Sequence, residues 1–196
     1  MDFPLNVMVQ CMDGEAGLSV CVIVDPIKDQ ITHLVVKDKG LFGIERLVPA
    51  NLILETSQDH IRLNCNLKDL EKTESFTESE FVPYPGGEGY TWPYYPIEEE
   101  GLILDHEKIP RNELAIRRGD RVNATDGPIG RVDEFLVDPK TDSITHLVMR
   151  EGHLWGQKDI TIPISQMDHI ESDAVFLKLS KTDIENLPSV PVKRRI

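Results

Sequence analysis

Residues 13–43 can be laid over residues 126–156 at a constant shift of 113, without a gap, to give 14 identities in 31 positions. Chains of ordinary composition give about two by chance. The identities include Asp13/Asp126, Gly14/Gly127, Gly17/Gly130, Asp25/Asp138, Pro26/Pro139 and Gly43/Gly156, all residue types that set turns. They also include the whole run Ile31-Thr32-His33-Leu34-Val35 against Ile144-Thr145-His146-Leu147-Val148. With one residue inserted, the match continues through Val48-Pro49 against Ile162-Pro163 and Asp69-Leu70 against Asp183-Ile184. Duplication of a unit of about seventy residues is the economical reading. A chain of 196 residues then divides into residues 1–75, a connecting segment 76–115, and residues 116–196.

Each unit reads as a meander of short strands. Asp-Gly at 13–14 and 126–127 is the signature of a tight hairpin, because such turns need positive backbone angles. Asp25-Pro26 and Asp138-Pro139 fit a type I turn, with the ring fixing φ and the carboxylate bonding back to the chain. Between these turns, Ile31 to Val36 and Ile144 to Met149 are β-branched and apolar on both alternating faces, as expected of a strand buried on each side. Pro49 and Pro163 end the next strand, since proline cannot donate to a ladder. Asn66 and Ser180 are the expected caps of a short helix closing each unit. The fold class expected is all-β: two small barrels of five to six strands each, with a short C-terminal helix per unit.

The order Asp-Gly, a Gly three residues on, a strand ending in Asp-Pro, a strand reading Ile-Thr-His-Leu-Val and a later apolar-Pro step resembles the PRC-barrel family. The resemblance covers residues 5–75 and 118–187, and the second copy fits more cleanly. It is similar to the cytoplasmic part of the photosynthetic reaction-centre H subunit and to the C-terminal domain of a ribosome-maturation factor. The first would imply a membrane-anchoring helix ahead of the barrel, and the second a different N-terminal β-domain; neither is expected here, where another copy of the same unit takes that place. What the resemblance implies is an adaptor or assembly module.

The connecting segment differs in character. Between residues 76 and 110 eight carboxylates face Lys108 alone, and Pro83, Pro85, Pro93, Pro96 and Pro110 extend the chain. It is expected to lie outside both cores. Tyr84, Tyr90, Trp92, Tyr94 and Tyr95 are more aromatic rings than solvated linkers carry, so part of it is expected to dock on a surface.

Composition excludes several classes. A formal charge of −13 disfavours nucleic acid and anionic lipid, whose phosphates need clustered Lys and Arg. Lys193-Arg194-Arg195 is the one basic run and reads as a solvated tail. No apolar run reaches the roughly 20 residues that cross a bilayer as a helix. The N-terminal residues have no basic region followed by an apolar one, so the cytoplasm is the expected compartment. Cys11, Cys21 and Cys65 lack a CxxC pair or zinc-ligand spacing, and are expected to be buried reduced thiols.

No motif specifies a reaction. Gly86-Gly87-Glu88-Gly89 lacks the Lys-Ser/Thr step and helix of a phosphate loop, and His106-Glu107 lacks the second His of a zinc protease. No nucleophile elbow is present. The chain is therefore expected not to be an enzyme, to need no metal or organic cofactor, and to hold a protein partner or another copy of itself. Phe42 and Trp155, at hairpin tips, and Trp92 and Tyr94, in the connecting segment, are the candidate contacts. The matched His33 and His146 are the one candidate polar site. They are expected to be structural, their ring nitrogens satisfied by neighbours, and the alternative function is a small-ligand or metal site in a groove between the units.

Overall fold

The computed structural model describes residues 2–40, 43–83, 101–138, 143–151, 158–171 and 173–187. Phe42, Trp92, Tyr94 and Trp155 lie outside these described residues, as does Pro139. The fold is all-β, with two short helices.

The first unit contains β1 (Asp2–Pro4), β2 (Met8–Cys11), β3 (Gly14–Asp25), β4 (Gln30–Asp38), β5 (Glu45–Pro49), β6 (Ile53–Thr56), β7 (His60–Leu63) and α1 (Leu67–Leu70). A ribbon of β8 (Thr77–Pro83) and β9 (Gly101–Glu107) follows. The second unit contains β10 (Leu114–Arg117), β11 (Arg121–Ala124), β12 (Gly127–Val137), β13 (Ile144–Glu151), β14 (Lys158–Pro163), β15 (Met167–Glu171), β16 (Ala174–Leu177) and α2 (Lys181–Glu185). The hydrogen-bonded order is β5-β4-β3-β2-β7-β6 in one sheet and β14-β13-β12-β11-β16-β15 in the other. Among the described residues neither sheet closes by pairing between its two end strands.

Each sheet gains its seventh strand from the other half of the chain. The long strands β3 and β12 are paired along one edge by their own β2 and β11 only as far as Leu18 and Arg131. Beyond that point β10 pairs antiparallel with β3, with Ile116 opposite Val22, and β1 pairs antiparallel with β12, with Phe3 opposite Phe135. Both pairs sit at the shift of 113 that relates the two halves of the sequence. Gln30 and Ser143, also 113 apart, form an isolated antiparallel bridge, and Ile144 N–H donates to Asp29 O at 2.6 Å. Equivalent strands therefore meet end to end, as they would across a twofold axis.

The exchange merges the interiors. Phe3, Val22, Leu34, Ile61 and Ile116 share one apolar cluster with Val122, Phe135, Leu147, Ile162 and Val175. As the alternation of β4 requires, Leu34 and Val36 enter this cluster while Val35 points to a second one, with Cys21, Ile23, Leu47, Phe76 and Ala115. This corrects the expectation that residues 76–115 lie outside both cores. Phe76 is wholly buried and Ala115 nearly so, because the outer face of the first sheet is itself apolar and the ends of the segment cover it.

Local chemistry follows the sequence with two differences. Asp25 Oδ1 accepts from Ile27 N–H at 2.9 Å and Lys28 N–H at 3.1 Å, forming the turn at Pro26. Asp13 and Asp126 do more than turn the chain: each accepts from the first N–H of a helix, Leu67 at 2.9 Å and Lys181 at 3.0 Å. Ser180 and Asp183 form a reciprocal capping box on α2, whereas the Asn66 side chain makes no cap bond to α1.

Candidate interaction surface and polar site

The ribbon grows from a well-anchored base. Phe76 N–H donates to Glu45 O at 2.7 Å and Lys108 N–H to Phe76 O at 2.7 Å, so both arms leave the first sheet from one buried ring. Arg117 lies over that ring at 5.8 Å and pairs with Glu107 at 2.5 Å. Near the base the acidic side chains are answered locally. Glu78 meets Lys108 at 3.2 Å, Glu80 meets His106 at 3.5 Å, and Ser79 donates to Asp105 at 2.6 Å.

Farther out the side chains turn apolar and stay in solvent. Phe81 stands opposite Ile103 on one face, and Val82 opposite Leu102 on the other. Phe81 is 49% exposed, Leu102 51% and Ile103 70%, with Val82 and Leu104 also exposed. Gly101 allows this crowding, because a Cβ there would come within 2.5 Å of the Phe81 ring. Two strands alone are marginal in water, and here exposed apolar side chains stand on both faces of the pair. The acidic, proline-rich composition of 76–115 concealed the strands. The sequence signal for them is the apolar run Leu102-Ile103-Leu104.

The two matched histidines have unlike surroundings. Thr32 and Thr145 both direct their hydroxyls back at β-strand carbonyls, Ile23 O at 3.3 Å and Leu136 O at 3.1 Å. His33 Nδ1 is 3.1 Å from Thr32 Oγ1 and 3.7 Å from the carboxylate of Glu113, which also bonds the Thr32 hydroxyl. Glu113 stands in the turn leading into β10, 81 positions from Thr32, and no local pattern could have assigned it to this place. Among the described residues His146 has no such neighbour, and its buried Nδ1 has no hydrogen-bond partner, against the expectation that both rings are satisfied; burial moves its pKa below the usual value. Among the described residues no three His, Cys, Asp or Glu side chains are placed to hold a metal ion, and neither histidine joins such a group.

A further charged cluster is tied up internally. Asp133, nearly buried, receives Arg118 at 2.6 Å and Arg150 at 2.8 Å, and Arg118 also reaches Leu5 O at 3.5 Å. Beside it the Asp120 carboxylate accepts from Arg117 N–H at 2.7 Å, and burial holds its pKa above the ordinary range. Both clusters fix the entry of β10 and β11. Cys11, Cys21 and Cys65 are all buried, and burial pushes the Cys21 thiol up to about 12, far from the range of a nucleophile.

Residues 118–184, about a third of the chain, match the family model of the PRC-barrel domain. No curated protein matches the chain. No helix among the described residues is long and apolar enough to cross a membrane.

Proposed function

We propose that this chain is a non-catalytic adaptor, in which a two-unit β-body holds out the ribbon of β8 and β9 to a protein partner or to a second copy of itself. The observation that carries this reading is the exposed apolar half of the ribbon, Phe81, Val82, Leu102, Ile103 and Leu104, on a base whose charges are already paired. The match to a PRC-barrel model over residues 118–184 is compatible with it. The first unit is read as a second, diverged copy of the same domain, from the repeat and from the common strand order.

Replacing the facing pair Phe81 and Ile103 by Ser in the full chain tests the proposal. Exposed substitutions shift stability by roughly 0.5 kcal/mol or less each, so the melting temperature should stay within about four degrees of the parent. Proteins recovered with the parent from its native cell, or its self-association in sedimentation, should be lost. Unchanged recovery and unchanged oligomer size would overturn the assignment of this ribbon.

A further inference from the structure

The thiols of Cys11 and Cys65 lie 3.7 Å apart, both less than a tenth exposed, at the end of β2 and just before α1. The backbone already joins the two segments at this point, through Met12 N–H donating to Cys65 O at 2.9 Å. The second unit makes the same backbone bond, Thr125 N–H to Leu179 O at 2.9 Å, with Ala124 and Leu179 at the positions of the two cysteines. The fold therefore accepts an ordinary apolar pair here, and packing alone gives no reason for two sulfurs. The two units differ in one more respect at this place: α2 carries a capping box, whereas the N-cap residue of α1, Asn66, makes no side-chain cap bond.

We propose that Cys11 and Cys65 are a modification site, a thiol pair that closes to a disulfide and staples the first hairpin to the start of α1. The sulfurs need to approach from 3.7 Å to a bond of about 2.05 Å, which rotations of the two side chains supply. The oxidant is a low-molecular-weight disulfide such as oxidised glutathione. One cysteine thiolate attacks it, releasing one small thiol as the mixed disulfide forms; the other cysteine then displaces the second small thiol. The two protein thiols lose two electrons and two protons, and the small disulfide gains them as two thiols. Burial, with Cys65 as the nearest neighbour, pushes the Cys11 thiol up to about 12. The exchange is therefore slow in the folded protein and proceeds as the chain folds or locally opens. Cys21 is wholly buried in the other cluster and is left out.

The test refolds the full chain in mixed reduced and oxidised glutathione, blocks free thiols with an alkylating agent, and measures mass and melting. The expected product has one alkylated cysteine, is two mass units lighter than the reduced chain before alkylation is counted, and melts several degrees higher. Cleavage after glutamates separates Cys11 from Cys21 at Glu15 and should give one crosslinked pair containing Cys11 and Cys65. Cys11→Ala and Cys65→Leu, which install the residues of the second unit, should fold and leave the other two thiols alkylated. Three alkylated thiols in the parent, a bond that includes Cys21, a persistent mixed disulfide, or a lower melting temperature on oxidation would each overturn the proposal.

Discussion

Gly17 and Gly130 are identical in the two halves because of a single close approach. A Cβ on Gly130 would stand 2.5 Å from Arg150 O and from Met149 Cε, and one on Gly17 would run into Lys37 O, the equivalent carbonyl. In both places the closest obstacle includes a backbone carbonyl that cannot swing aside, so Gly130→Ala should cost about 1–3 kcal/mol, read as a lower urea midpoint with unchanged slope; an unchanged midpoint would refute the contact. His146 makes a second residue-level case. Its folded pKa is depressed by burial, so protonation favours the unfolded chain, and stability present above pH 6.5 should fall as the pH drops below that value. His146→Gln should flatten the loss of melting temperature between pH 7 and pH 5 relative to the parent. Equal slopes would show that other groups carry the acid sensitivity. The repeat made both histidines legible, but their unlike surroundings were not, because Glu113 reaches His33 from a segment distant in the sequence.

The elements that were legible are those whose signals are local. Asp-Pro turns, paired glycines and the β-branched run of β4 and β13 announce hairpins and central strands within windows of a few residues. The exchanged strands β1 and β10 are four residues or fewer, and nothing near them in sequence names a partner more than ninety residues away. Phe3 is the anchor of β1, packed in the common core opposite Phe135. Phe3→Ala should therefore destabilise by about 3 kcal/mol despite its place in a terminal strand, measured by urea unfolding. A loss below about 0.5 kcal/mol would mean that β1 does not hold this position in solution. The β8–β9 ribbon was missed for a different reason: prolines and carboxylates speak for extended solvated chain, and pairing across seventeen intervening residues leaves no local trace.

At the scale of the whole molecule, one apolar cluster spans both units, so the chain should unfold in a single cooperative transition. Residues 1–75 lack β10 and Phe76, and residues 116–196 lack β1 and half of β10. Each piece expressed alone should therefore show no sharp thermal transition, while mixing the two should restore part of the native near-ultraviolet signal. Two sharp, independent transitions would argue for separable domains. The strand exchange also sets an order of events during synthesis. The far edge of β3 stays open until Arg117 has left the ribosome, and β1 must wait for Phe135. At about 5–20 residues per second that wait is on the order of ten seconds. The first unit is thus completed only once the second has begun, and β1, made well before its partner, is among the last to find its place.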